Sequence, residues 1–390
     1  MTAVTMKPLG ELVDFLDHQR RPVKSNERRE GPYPYYGANG QQGTIDGYLF
    51  DEPLVLLAED GGHFDNPRRG IAYRVTGKVW VNNHAHVLRA REGVDVDYLC
   101  RSLEHRDVTQ YLTGSTRAKL TKGSAARIPV PVPPVEEQKR IAAVLDETDT
   151  LRTKRYKALT ILNDLAQSIF LDMFGDPVRN THGWDRLPMS DLLETIDSGV
   201  SPQCLDRSAE DGEWGVLKLG AVTQCVYQQE ENKALPDGVK PQPRHEVRVG
   251  DLLLSRKNTP ALVGAAAYVR HTRARLLLPD LIFRLVQKQG APIDGVYLHA
   301  LLTHPSKRRV VQSLASGSAA SMVNISKQKL LGLLCEIPPL NLQYAFAQRM
   351  AALEKEREVH TAHLSALDNL FTSLQQRAFS GTLWDHEAAA

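Results

Sequence analysis

The chain lacks the short motifs by which several enzyme classes announce themselves. No G-x-G-x-x-G follows a strand-like run, which excludes a dinucleotide or S-adenosylmethionine loop of that kind. There is no Asn-Pro-Pro-Tyr or Asp-Pro-Pro-Tyr, so an amino-methyltransferase motif is missing. A Walker A loop is absent, which excludes a nucleotide-driven motor of that type, and without G-x-S-x-G there is no hydrolase elbow. Only four cysteines occur, Cys100, Cys204, Cys225 and Cys335, with no C-x-x-C. That usage fits a reducing compartment and gives no zinc signature. No run reaches the ~18 apolar residues of a membrane span. Met1 to Glu11 carries one Lys and no apolar stretch long enough for a signal peptide. A cytoplasmic protein without a membrane partner is expected.

Three near-misses stay below a motif. Glu137-Gln138-Lys139 has the E-x-K spacing of many nucleases, but it lies on a helix and no suitable Pro-Asp precedes it. Pro279-Asp280 is followed by no E-x-K. His84 and His86 share a strand face, yet no nearby carboxylate or Cys completes a metal set. No catalytic residue, metal site or cofactor is expected.

What is present is a repeat. Val132-Pro133-Pro134-Val135-Glu136-Glu137-Gln138 returns as Ile337-Pro338-Pro339-Leu340-Asn341-Leu342-Gln343, an offset of 205 residues that holds to Phe174/Phe379. The chain is one unit written twice: a globular part, a Pro-Pro stop, then a helix. In the first helix a 4-3 spacing selects Ile141, Leu145, Thr148, Arg152, Arg155, Leu159, Leu162, Ala166, Ile169 and Met173. In the second it selects Phe346, Met350, Leu353, Arg357, His360, Leu364, Leu367, Phe371, Leu374 and Ala378. This is a coiled-coil period, with a polar centre of the sort that fixes register. Each helix would run about 58 Å at 1.5 Å per residue. Alone, each would expose its apolar stripe, so an antiparallel pair is expected.

The expected fold is α+β, two globular α/β domains separated by an antiparallel coiled-coil spacer in an internal pseudo-two-fold repeat. The expected bounds are 1–134 and 181–339 for the globular parts, 135–180 and 340–382 for the helical segments, and 383–390 for a tail. In the first globular part a short helix is expected at Leu9–Phe15 and strands at 54–58, 70–75 and 85–88. A helix at 96–106 and an extended Pro129–Pro134 follow. The second repeats the plan, with a helix at 187–193, strands at 251–255, 264–269 and 281–286, and a helix at 295–302. Net charge is only +2, but the positive excess lies in the globular parts, +2 and +3, against −1 and −2 for the helical segments. A polyanion would bind there.

Basic clusters fall on the loops. The first holds Arg20, Arg21, Lys24, Arg28 and Arg29, beside Tyr36 and Asn39; the next holds Arg68, Arg69 and Arg74; a third holds Arg117, Lys119 and Lys122. In the second half come Arg256, Lys257 and Asn258, then Arg270, Arg273 and Arg275, then Lys307, Arg308 and Arg309, and finally Lys327 and Lys329. Lys and Arg neutralise phosphates, and Arg, Asn and Gln read base edges.

Several stretches together resemble one family over nearly the whole chain. They are Pro34–Gly40 with Gly43–Phe50, Gly114–Lys122 leading through Ile128–Pro134 to Val135–Ala142, Val249–Arg256 with Leu262–Gly264, and Gly317-Ser318 through Ile325 to Pro339. The family is the specificity (S) subunit of Type I restriction-modification systems. The resemblance implies two target recognition domains, each reading half of a split double-stranded DNA site, and a helical spacer that fixes the gap. It also implies two modification (methyltransferase) subunits docked on the spacer, with Glu136, Glu137, Gln138 and Gln343 as the partner-binding residues, and restriction (motor-nuclease) subunits that join them. The S subunit itself catalyses nothing and needs no cofactor. Glu136-Glu137-Gln138 becomes Asn341-Leu342-Gln343 in the second copy, so the motif has decayed there. Because the halves differ, an asymmetric target is expected. Two other readings compete: a coiled-coil scaffold whose domains bind proteins, and an unrecognised nuclease.

Overall fold

The structure is a computed structural model that describes residues 5–66, 69–114, 117–317 and 322–380. The expected tail at 383–390 lies outside them. The chain divides into two compact units. One holds the described residues up to Lys157 together with those from Thr361, and the other holds Ala158–His360. Each unit therefore takes one globular part and half of each long helix.

In the first unit an antiparallel four-stranded sheet runs in the order Val13–Phe15, Ala85–Ala90, Leu54–Ala58, Ala72–Val75. Leu54–Ala58 is buried throughout, as an all-apolar central strand must be. A second sheet carries the hairpin Tyr33–Gly37/Gly40–Ile45 with Lys78–Val81 and Phe50–Asp51. The opening pattern at Leu9 is a single helical turn, Leu9–Leu12, that passes directly into the strand Val13–Phe15. The helix Val96–Glu104 covers the sheet, and the Asp95 carboxylate caps it by accepting from the backbone N–H of Asp97 and Tyr98.

The second unit repeats the sheet as Leu193–Ser198, Ile282–Gln287, Leu252–Ser255, Ala266–Tyr268. Asp294 caps the helix Gly295–Thr303 through the N–H groups of Val296 and Tyr297. A helix not expected from the sequence, Pro305–Ser313, follows at once, with Pro305 at its start and the His304 side chain capping it.

The long helices run Val135–Phe174 and Leu340–Ser380. They pair antiparallel in both units. In the first, Ile141, Ala142 and Leu145 pack with Phe371, Ala378 and Tyr98, and Arg152 donates to Asp368 at 2.7 Å while lying over the Phe371 ring. In the second, Phe170 and Phe174 meet Phe346 edge-on at 5.8 and 5.3 Å. Every position selected by the 4-3 spacing is buried or half-buried. The first long helix ends at Gly175, whose φ of +72° closes the last turn through a bond from its N–H to Leu171 O. Among the described residues no helix is long and apolar enough to cross a membrane.

Gln138 and Gln343 start these helices from the inside. Gln138 Oε1 accepts from Asp95 N–H at 2.8 Å, and its Nε2 donates to Gly93 O and Pro133 O. Gln343 repeats this with Asp294 N–H, Pro292 O and Pro338 O. Both are buried. The expectation that they face a partner is corrected: their amides join helix, Pro-Pro stop and globular part. Glu136 is exposed and pairs with Lys139 at 2.8 Å, while Glu137 is half-buried.

Candidate nucleic-acid interface

In the first unit the candidate residues gather where the central strand Leu54–Ala58 runs out into Glu59-Asp60-Gly61. The Leu120 N–H donates to Glu59 O at 2.7 Å, so the stretch around 117–122 crosses this turn. Arg117 donates to Asp60 at 3.0 Å, and Lys119 pairs with Glu59 at 2.9 Å. Asn39 donates to Gly61 O at 2.9 Å. Gly61 has φ +65°, and a Cβ there would sit 2.8 Å from the Arg117 guanidinium, so this turn needs glycine. Lys122 lies over the Phe15 ring at 5.5 Å. The structure thus joins Asn39, Arg117, Lys119 and Lys122, which the sequence scatters over more than eighty positions.

Arg20 lies behind this group, not on its surface. Its guanidinium meets Glu59 at 2.6 Å, Ala85 O at 2.7 Å and Asp17 at 3.6 Å, and it is only 13% exposed. That geometry makes it an internal counter-ion and corrects the expectation that it faces DNA. Arg21 is exposed, with its carbonyl taken by the Trp80 indole N–H. Lys24 is exposed and pairs with Glu27. Tyr36 packs on Tyr73 at 5.8 Å between ring centres, and Arg69 is exposed. Arg68 lies outside the described residues.

Carboxylates do stand beside the two histidines, which corrects the expectation of none. His84 Nδ1 meets Asp60 at 2.5 Å, and His86 Nδ1 meets Asp17 at 2.6 Å. Asp17, Glu59 and His86 hold their ligand-type atoms within 4.8 Å of one another. Arg20 and Lys119 supply the neighbouring positive charge. Burial raises the Asp17 carboxyl, but the hydrogen bond and charge of His86, the Val87 N–H and Arg20 outweigh it and hold Asp17 below its usual range. Burial likewise raises Glu59, and the bonds from Arg20 and Lys119 with the charge of His86 bring it below normal. Sequence reading missed Asp17 and Glu59. Neither lies near His86 in the chain, and only strand pairing brings them in.

The corresponding turn of the second unit is chemically different. The strand Leu252–Ser255 runs out into Arg256, whose carbonyl accepts from Ile325 N–H at 2.8 Å. Arg256 Nε donates to Asn324 at 3.2 Å, and its guanidinium lies 5.0 Å from the Phe283 ring centre. Lys327 approaches the same ring at 5.8 Å. Lys257 is exposed and pairs in register with Asn324. Asn258 is buried, and its side chain accepts from Thr259 N–H. Arg256, Lys257, Asn258 and Lys327 are therefore brought together. Arg273 and Arg275 are not with them. Arg273 donates to Glu213 O and Ala209 O, and Arg275 to Gly212 O, so both brace the 209–213 loop beside another sheet. Lys307, part of a basic cluster in the sequence, is buried and paired with Glu336 at 2.6 Å.

Two copies of one α+β unit, each with a basic and amide-bearing turn at the end of its central strand, make a duplicated scaffold. Comparison with known proteins agrees. The model of the Type I restriction modification DNA specificity domain matches residues 1–161. The Haemophilus influenzae protein named as type I restriction enzyme specificity subunit S.HindORF215P is 39% identical over 152 residues, which is 39% of each chain. The Type I restriction enzyme MjaVIII specificity subunit of Methanocaldococcus jannaschii is 22% identical, covering 90% of this chain and 86% of that one. The crystal structure of the Type-I restriction-modification system S subunit from M. genitalium superposes with a TM-score of 0.66. It covers 97% of both chains at 12% identity, a likeness of fold. The match to the Haemophilus relative spans well under two thirds of that protein's length.

Over residues 1–161 the chain is similar to the DNA specificity domain of Type I restriction-modification systems, and over 90% of its length to a Type I specificity subunit.

Proposed function

We propose that this chain is the non-catalytic, DNA-reading subunit of its restriction-modification complex. Each unit reads one half of a split, asymmetric site in double-stranded DNA. The long helices set the gap and dock two methyltransferase subunits, with Glu136 and Glu137 on the docking face, and restriction subunits join that complex. One observation carries the reading: the same turn of a duplicated fold holds Asn39, Arg117 and Lys119 in one copy and Arg256, Lys257 and Asn324 in the other. A scaffold kept twice with different hydrogen-bonding groups at one place suits two different base sequences. Arg21, Lys24, Arg69, Lys122 and Lys327 add positive charge for phosphates.

Genome-wide mapping of methylated positions in cells that express this chain with its methyltransferase partner tests the proposal. A single bipartite, non-palindromic motif with a fixed gap is expected. A palindromic motif, or methylation that ignores this chain, overturns it.

A further inference from the structure

We infer that His86 is a positioning residue for the half-site read by the first unit, acting through the 117–122 stretch. The inference rests on the proposed DNA reading and deepens it. His86 lies on the strand Ala85–Ala90, 1% exposed, directly beneath that stretch. Its Nε2 is 2.8 Å from Leu120 O. A carbonyl oxygen only accepts, so this nitrogen carries the proton. Nδ1 meets Asp17, which fixes the ring from the other side. Phe15 meets the ring edge-on at 5.6 Å and carries Lys122 on its own face. The backbone of Leu120 is thus held at both ends, its N–H by Glu59 O and its carbonyl by His86. Arg117, Lys119 and Lys122 all leave the chain within three residues of that anchor. Their aim at an external ligand depends on it.

The second unit supplies the contrast. Leu57 pairs with His86 in the first sheet, and Leu254 pairs with Phe283 in the second. In each case the pair lies two positions before the residue whose carbonyl receives the crossing stretch, Glu59 or Arg256. His86 and Phe283 are therefore counterparts, and a phenyl ring has no proton to donate. The first unit holds its reading stretch by a side-chain hydrogen bond that the second cannot make.

The full chain with its methyltransferase subunits is assayed on DNA with either half-site scrambled, using His86→Phe, His86→Gln, Arg117→Ala and Arg256→Ala. His86→Phe should lose about tenfold in affinity, the scale of one buried hydrogen bond left unmade. The loss should vanish when the half-site sensed by Arg117→Ala is already scrambled. It should persist when the half-site sensed by Arg256→Ala is scrambled. His86→Gln keeps an N–H at comparable reach and should recover most of the affinity. Equal loss at both half-sites, or no loss in a variant that melts like the parent, overturns the role of His86. If His86→Phe does not fold, failure of a folded His86→Gln to keep the first half-site overturns it instead. A parent complex indifferent to scrambling of either half-site would sink the DNA reading itself, a distinct result.

Discussion

His86 and Phe283 occupy one position in two copies of the same sheet, and the charged groups around them differ. Asp17 and Glu59 face His86, with Arg20 and Lys119 closing the network. Phe283 instead carries Arg256 and Lys327 over its ring, at 5.0 and 5.8 Å. One backbone thus carries an ionic network in the first unit and a cation–aromatic stack in the second. The two units can present different surfaces without a change of fold.

The ionic network makes the first unit sensitive to acid. Asp17 and Glu59 titrate below their usual values in the folded state. Their contribution is complete above the unfolded carboxyl range of about 4 and is lost as pH falls through the lower folded values. Thermal melts from pH 7 to pH 3 should show the first unit weakening below about pH 4. Asp17→Asn should lower stability at pH 7 and flatten that acid dependence. An unchanged pH profile would show that the carboxylate does not support the fold.

Removing either glutamine clamp should cost more than its surroundings suggest. Gln138→Ala removes the partner of the half-buried Asp95 N–H and of the Gly93 and Pro133 carbonyls, the last of them buried. A loss of about 2–3 kcal/mol is expected by urea denaturation. Gln343→Ala should do the same to the second unit. Each substitution should act on its own unit, so the unfolding curve of each variant should split into two transitions.

The repeat, the long helices and the central strands were legible because period and proline position are local properties. Leu54–Ala58 was placed to the residue, and the 4-3 spacing named the buried seam. The helix Pro305–Ser313 was not, since its basic residues read as a loop cluster while Lys307 is buried against Glu336. Arg20, Gln138 and Gln343 were placed outside when they lie inside. Their partners come from elsewhere in the chain: Glu59 is 39 positions from Arg20, and Asp95 is 43 from Gln138. A sequence displays a charge or an amide but not the group that satisfies it. Arg117, Lys119 and Lys122 were legible as a group because they are close in sequence; that Asn39 joins them was not.

The two units seat their globular parts on the helices differently. Arg101 reaches Asp146 at 2.7 Å and Asp149 at 3.4 Å on the first long helix. Its counterpart, six residues past the Asp294 cap as Arg101 is past Asp95, is Ala300. Ala300 lines a cavity of about 510 Å³ with Phe170, Phe346, Met350 and Glu354. Arg101→Ala should destabilise the first unit by about 1 kcal/mol, because Asp146 and Asp149 on the helix are well exposed and screened, and less at high salt. Ala300→Arg, which would bring a guanidinium into the cavity beside Glu354, should raise the melting temperature of the second unit. A fall would mean that the cavity cannot take the side chain.

Arg256 should discriminate sequence as well as bind. Arg256→Ala is expected to weaken one half-site by about 1–3 kcal/mol if the guanidinium is bidentate to a base. Its bond to Asn324 and its contact with Phe283 are structural, so the variant's melting temperature must be measured alongside. A loss equal for all sequences, with a shallower salt dependence, would assign it to a phosphate.

The proposed spacer role predicts a change in length and phase together. Inserting one heptad into each long helix keeps the apolar seam in register and adds about 10.5 Å. On B-DNA that is about three base pairs, at 34–36 Å per turn of 10–10.5 pairs. The same three pairs turn the second half-site by about 100° around the duplex. The preferred gap should grow by three, and affinity should fall because one reader must reach around the helix. Linked readers gain only where both engage at once. Binding measured against DNAs with gaps stepped one pair at a time reads both effects. An unchanged preferred gap would remove the helices from the role of ruler and leave the distance to be set by the partner subunits.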